Sequence, residues 1–550
     1  LYSPFYFLQG KMQEDLLEAF RTPLFFVYMS MLLSFCMVSG SQLGDRVELE
    51  FQAYRLQQYE VSGSVIGSKS FRVLYEAVGI DANALRKSVV VSWRDLVNRD
   101  LESLFKTAVG SMIIILPADF SDLSPDQRKQ LLDLETALSL VQTELSVYAI
   151  KWSEAAAALL ADVSATSTAS TGTQKLVQTV SANTFQLTST TTSIPASLPF
   201  TPKNVIVRLP GGIPSASSIV FLAHYDTHSA FPDLGAGTDS NGSGMVALLE
   251  LLSVFKRFYD SAATKPNNHM IFAWTAAGKH NYQGSATFLT EMQEKYADDK
   301  VDLVVCLDTI GNGKALNVHL SRVPSAGTVS DKFVTYLRAA AHNQSIDVIA
   351  KKINMQLPFM WEHERFNAKR QAALTLSGLS HPSEITRRSI SDSSVDSTVL
   401  TSNIRTIAEA TLSMILPLPE RAAHKDERVT SDSTLLSPEA VSKTRVEQLI
   451  SRFASRARPL SSQSATEETV ANLHAYASSY GHARVQPLPA LETVVVPSSV
   501  ERIVAEKTKP AIFDLFLAAG IAAYLAVFTK IVSSSQSILD RSLITLRKGY

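Results

Sequence analysis

The chain has 550 residues, with 51 basic and 52 acidic side chains giving a formal net charge of −1, so there is no electrostatic basis for expecting nucleic acid as a partner. Its length and 45% hydrophobic content suffice for two or three domains with a substantial core. Two cysteines, Cys36 in an apolar N-terminal run and Cys306 in a predicted buried strand, argue against a disulfide framework and leave the compartment open.

In chain order, the first apolar run, residues 23–38, follows Lys11 and Arg21 and ends in Ser39, Gly40 and Ser41. Basic, then apolar, then small is the shape of a secretory signal, and its length borders on a signal anchor; the segment is assigned to residues 12–41. The chain opens on Leu1, and Met12 is the expected true start. Residues 45–162 alternate as an α/β lobe, with strands predicted over 52–59, 89–91, 111–116 and 147–150 and helices over 93–107 and 127–140. Residues 163–201, rich in Ser and Thr, read as a solvated linker. A second α/β lobe spans 202–418 and closes on an amphipathic helix over 397–416. Residues 419–509 are polar, with Val446, Leu449, Ile450 and Phe453 at helical spacing, and are predicted to form a helical stalk that either packs beneath the lobes or carries a partner interface. The apolar run 511–529 is long enough to span a bilayer core of about 30 Å, with Asp514 in its first turn. Lys530, Arg541, Arg547 and Lys548 then favour a cytosolic tail over 530–550, which places the bulk of the chain in the secretory lumen.

The chemistry gathers in the second lobe. Phe221-Leu-Ala-His224-Tyr-Asp226 reads as a buried strand running into a His-x-Asp pair, which supplies an imidazole and a carboxylate to orient it. Gly235-Ala-Gly-Thr-Asp239-Ser-Asn-Gly-Ser-Gly244 is a Gly-rich loop opening a helix with apolar positions at Met245, Leu248, Leu249, Leu252 and Phe255. Asp302-Leu-Val-Val-Cys-Leu-Asp308 delivers a further acid from a continuous apolar strand. His224, Asp239 and Asp308 are ligand types suited to zinc, presented where α/β sheets build sites.

Over about 200 residues this pattern resembles the M28 di-zinc aminopeptidases, whose motif runs His-x-Asp, a bridging Asp, Glu-Glu, an Asp and a late His. The Glu pair follows an apolar strand, here Met270-Ile-Phe-Ala-Trp-Thr275, and precedes Gly284-Ser285, so that counting back puts Gly278 and Lys279 at the two positions; a two-residue shift gives Ala276 and Ala277. None of these supplies the general base or the metal ligand that a hydrolytic site needs. If Asp396-Ser397 matches the terminal Asp-Thr, Asp392 stands where the late His belongs. The resemblance therefore implies a degenerate site with no catalytic residue, no cofactor and no metal, its vestigial positions being His224, Asp226, Asp239, Gly278, Lys279, Asp308 and Asp392. The Lys279 ammonium is expected near Asp239 and Asp308 in place of a metal cation.

Among relatives lacking the catalytic set, the chain is similar to the nicalin family, itself related to nicastrin. The similarity rests on Tyr54-Arg-Leu-Gln-Gln-Tyr59, Ala223-His-Tyr-Asp226, Asp239-Ser-Asn-Gly-Ser-Gly244, Asn281-Tyr-Gln-Gly284, Trp361-Glu-His-Glu-Arg-Phe366 and Lys509-Pro-Ala-Ile-Phe-Asp514, spread over almost the whole chain. It implies an α/β fold: an M28-like mixed sheet with helices on both faces, an additional N-terminal α/β lobe, the helical stalk and a single C-terminal transmembrane helix. It also implies an endoplasmic reticulum complex with the Nodal modulator protein and a small multipass membrane protein, associated with the Sec translocon, with multipass membrane-protein biogenesis and with Nodal signalling. An active aminopeptidase and a nicastrin-like substrate receptor of an intramembrane protease are the alternatives. Of the other residues, His363 is assigned a structural role, and His228, His280 and His319 lack a ligand spacing. Lys369, Arg370, Arg387 and Arg388 are expected on a solvated face, the alternative being a patch for an acidic partner. Asn241 and Asn343 head glycosylation sequons.

Overall fold

Two large sheets carry the architecture of the computed structural model, which describes residues 48–508 except 62, 81–85, 98, 108–109, 168–183, 192, 296–299, 314, 356 and 417–434. Beyond 508 it describes residues 515, 518–530 and 532–533. The signal-like run and most of the predicted tail lie outside the described residues.

The first sheet has seven strands in the order Ala77–Gly79, Lys87–Ser92, Gly110–Leu116, Ser146–Lys151, Glu48–Arg55, Val500–Thr508 and Thr184–Ser189. Its first four run parallel, and the last three add antiparallel. The helix Pro125–Leu140 covers one face behind a capping box of Ser124 and Gln127. The predicted helix over 93–107 is two helices, Trp93–Leu96 and Leu101–Thr107; Asp100 caps the second, its Oδ1 accepting from the amides of Glu102 and Ser103 at 3.1 and 3.3 Å.

The second sheet has eight strands in the order Asp347–Lys352, Ala315–Leu320, Ala373–Ser377, Val301–Leu307, Ser218–His224, His269–Thr275, Lys203–Leu209 and Ala483–Pro487. Ser218–His224 lies between two parallel neighbours and every residue in it is buried. That is why it reads as an uninterrupted apolar run: layers cover both faces of a central parallel strand. On one face Phe221, Phe255 and Phe272 pack with ring centroids 6.0–6.2 Å apart, joining the sheet to the helix Gly242–Asp260. On the other, Phe288 and Leu289 of the helix Gln283–Lys295 cover Ile206, Val220 and Leu222. Each fully buried side chain of this kind contributes about 1.5–3 kcal/mol.

Two sequence-based expectations are corrected. The segment 163–201 is not only a solvated linker, since Thr184–Ser189 forms a strand paired with Val500–Thr508. Residues 419–509 are not a purely helical stalk: helices in the segment pack against the second lobe, one of the two expected arrangements, and strands follow them. Their helices Lys443–Leu449 and Gln463–Ser478 pack on the second lobe, where Arg445 Nε meets Glu250 Oε2 at 2.9 Å. Ala483–Pro487 extends the eight-stranded sheet, and Val500–Thr508 inserts between strands of the seven-stranded one. Helical spacing around residues 446–453 hid the period-2 burial of Glu501, Ile503 and Ala505 further on. At the C-terminal end, residues 518–530 are helical and largely exposed; among the described residues no helix is long and apolar enough to cross a membrane. Residues 511–514 and 516–517 of the predicted span lie outside the description.

Candidate functional site

The strands Ser218–His224 and Val301–Leu307 are parallel neighbours, so His224, Asp226 and Asp308 emerge at one edge of the sheet. Asn241, at the N-terminus of the helix Gly242–Asp260, locks this edge together. Its Nδ2 donates to the carbonyls of Leu307 and His224 at 2.8 and 3.2 Å, and its Oδ1 accepts from the amides of Thr309 and Gly244 at 3.1 and 3.2 Å. The side chain is fully buried and all its groups are engaged, so the expectation of a glycan on Asn241 is corrected. Asn343 is exposed at the end of the helix Val329–Asn343.

Each of the four acids, Asp226, Asp239, Asp308 and Asp392, has an internal partner. Asp226 does not orient His224: it accepts from the amides of Gly278 and Lys279 at 2.7 and 3.0 Å. The carboxylate facing His224 is Glu362, whose Oε2 lies 3.4 Å from His224 Nδ1 and whose Oε1 accepts from Thr275 at 2.9 Å. Asp239 accepts from the Gly311 amide at 2.7 Å and from Asn312 Nδ2 at 2.9 Å; burial, with Asp392 nearby, pushes its pKa up to about 6. Asp392 takes the amides of Asp239 and Ser240 at 3.0 and 2.8 Å, a backbone-fixing role in place of a metal ligand. Gly278 packs against His224 so closely that a Cβ there would collide with the imidazole.

The cation on Asp308 is Arg387. Its Nη2 donates to Asp308 Oδ2 and, at 3.0 Å, to the Tyr282 hydroxyl, while the guanidinium lies over the Trp361 ring, 4.4 Å from its centroid. Burial pushes the Asp308 pKa up, but Arg387, with His224 and Lys279, outweighs it and holds the carboxyl well below the usual carboxylate range. Arg387 is buried and its expected place on a solvated face is corrected; Arg388 is exposed. Lys279 lies near enough to Asp308 for the two charges to favour each other, but it forms no direct ion pair in place of a metal cation: its Nζ donates to Ser240 Oγ at 2.7 Å and to the Arg387 carbonyl at 3.1 Å, and burial lowers its pKa to about 8. A further buried cation, Arg458, comes from the supposed stalk and donates to the carbonyls of Tyr225 and Gly237, each at 3.0 Å.

These residues do not fit a zinc site. His224 Nε2 is buried without a partner, as a ligand nitrogen would be, but Asp308 is held by Arg387 and Asp239 by Gly311 and Asn312. Among the described residues no three His, Cys, Asp or Glu side chains group as a metal set. The other histidines serve packing. His363 Nδ1 meets Thr375 Oγ1 at 2.8 Å, His319 stacks on Trp361 at 4.1 Å, and His228 and His280 meet edge to face at 5.7 Å beside Tyr59. Sequence reasoning missed Arg387, Glu362 and Arg458. For Glu362 a signal existed, since Trp361-Glu-His-Glu364 places acids in an apolar context.

A mixed sheet presenting His224, Asp226 and Asp308 at the ends of parallel strands, with Asp239 in the turn before the helix Gly242–Asp260, defines a lobe of the M28 peptidase type, and the sequence profile of Peptidase family M28 matches residues 204–407. The crystal structure of the gamma-secretase component Nicastrin shares the fold, with a TM-score of 0.57 at 12% identity over 83% of this chain and 99% of that one. Nicalin of Caenorhabditis elegans is 40% identical over 98% of this chain and its own full length. The BOS complex subunit NCLN of Canis lupus familiaris is 32% identical, and that of Homo sapiens 30%, each over 94% of this chain and 95% of the relative. The chain belongs to the nicalin family.

Proposed function

We propose that this chain is a catalytically inactive, membrane-anchored scaffold, a subunit of an endoplasmic reticulum membrane complex, with its bulk in the lumen. The observation that carries the inactive half is Arg387 on Asp308: a guanidinium of this chain takes a carboxylate that a metal would need, while Gly278 and Lys279 leave no general base. The complex is supported by the names of relatives covering almost the whole chain, which are BOS complex subunits. On this reading His224, Asp226, Asp239, Asp308 and Asp392 are vestigial. Residues 12–41 direct the chain to the membrane, 45–162 and 202–418 are its two principal units, and 511–529 anchor it as a single-pass type I protein. The partners are the Nodal modulator protein, a small multipass membrane protein and the Sec translocon, the role is multipass membrane-protein biogenesis and complex assembly, and a link to Nodal signalling follows.

The test is to purify the tagged full-length chain from endoplasmic reticulum membranes in mild detergent, identify what accompanies it, and measure zinc and hydrolysis of aminoacyl reporters. Co-purification of translocon components without zinc or turnover is expected. Stoichiometric zinc with turnover lost in Asp239→Ala would overturn the inactive reading, and a presenilin-type protease in place of the translocon would overturn the scaffold role.

A further inference from the structure

We propose that the cleft above the former metal site binds a carboxylate displayed on a peptide chain beside an apolar residue. The cleft has a volume of about 600 Å³, within the roughly 300–1,000 Å³ of ligand clefts. One side of it is cationic. Lys279 and Arg387 form the buried floor, and Arg388 is exposed on the wall, pairing with no carboxylate among the described residues. Buried Arg387 Nε has no hydrogen-bond partner.

The acids behind the floor do not neutralise this wall. Asp226 and Asp392 are each taken by two backbone amides, and Asp308 by Arg387 and the Thr309 hydroxyl. Among the lining residues the acid is Glu492, 65% exposed at the rim and 3.5 Å from Arg365. Burial, Arg388 and the neighbouring cations hold His228 well below the ordinary histidine range, so it adds no charge near neutral pH and leaves an uncharged ring beside Arg388.

The other side of the cleft is apolar and open to water: Leu357 is 78% exposed, Val61 42% and Met360 37%. A guanidinium with free donors recognises a carboxylate in a two-pronged geometry, and the adjacent apolar wall is complementary to an aliphatic or aromatic side chain. A small inorganic anion would satisfy only the first half; an acidic residue next to an apolar one satisfies both. The cleft's charges carry this proposal independently of the scaffold role, whose zinc and co-purification tests read out separately.

The test is calorimetric titration of the detergent-purified full-length chain with an end-blocked tetrapeptide containing adjacent leucine and glutamate, against the same peptide with glutamine. The glutamate peptide is expected to bind about tenfold more tightly, and Arg388→Gln to remove that advantage while leaving the melting temperature unchanged, as suits an exposed side chain. Arg388→Lys, which keeps the charge without the fork, is expected to retain part of it. Equal binding of the two peptides, an unaffected Arg388→Gln variant, or inorganic phosphate binding as tightly as the glutamate peptide would overturn the proposal.

Discussion

The two halves of the site are built differently. His224 and Asp308 stand at the ends of buried parallel strands, where the packing of the sheet fixes their positions whatever they bind. The loops opposite them, residues 276–282 and 384–392, carry the altered chemistry: Gly278, Lys279, Arg387 and Arg388. Ala277, Asn281 and Tyr282 hold φ of 55°, 59° and 52°, a left-handed conformation that L-residues adopt at a cost of about 1–3 kcal/mol each and that surrounding packing must enforce. A frame set by a sheet can therefore outlast a change of charge in its loops, provided each carboxylate left behind finds a new partner.

Removing such a partner tests that contrast most strongly. Arg387→Ala leaves Asp308 buried without its ion-pair partner, and the expected loss is about 3–5 kcal/mol in denaturant unfolding, with part of it recovered when Asp308→Asn is added. An unchanged midpoint would mean that the strand end does not need the loop.

The loop half also leans on the N-terminal lobe. Buried Glu135 accepts from Ser389 Oγ at 2.7 Å and from the Ile390 amide at 2.9 Å, and burial raises its pKa from 4.5 to about 7. Because the folded pKa exceeds the unfolded one, the folded state binds the proton more tightly between them. The Glu135 contribution is therefore greatest below about 4.5 and declines as pH rises towards 7, by about 3 kcal/mol at most. Glu135→Gln is expected to be less stable than the parent at pH 5 and to close or reverse that gap at pH 8. A pH-independent difference in melting temperature would show that this contact does not titrate.

Restoring an acid to the loop is expected to fail for steric reasons. Gly278→Glu must push the His224 ring aside, costing about 1–3 kcal/mol without bringing hydrolysis of aminoacyl reporters, which thermal melts and activity assays on one preparation would check. The smallest effect is expected at the surface. Asn343→Gln should change stability by less than about 0.5 kcal/mol while removing one glycan's mobility shift from the membrane-expressed chain. Asn241→Gln should leave that mobility unchanged and lower the melting point.

Much of the second lobe was legible because its signals are local. The apolar runs ending at His224 and Asp308 and the helical spacing from Met245 to Phe255 each reflect neighbours within a few residues. That Gly278 and Lys279 stand six and five positions before Gly284 is read from the sequence in the same way. The partners of these buried acids were not. Arg387 and Asp308 lie 79 positions apart, and Arg458 reaches Tyr225 across 233. Nothing in a run of polar residues distinguishes an arginine that solvates from one that folds inward onto a carboxylate.

The sequence by itself thus determined the strands of the second lobe around His224 and Asp308, the helix opening at Gly242 and the acids at the sheet edge, because hydrophobic period and residue type are properties of short stretches. Only the tertiary structure decided that Glu362 faces His224, that Arg387 neutralises Asp308, and that Val500–Thr508 inserts between two strands of the N-terminal sheet. A buried charge takes whichever distant partner the packing brings to it, and that choice is made when the chain folds, not along its length.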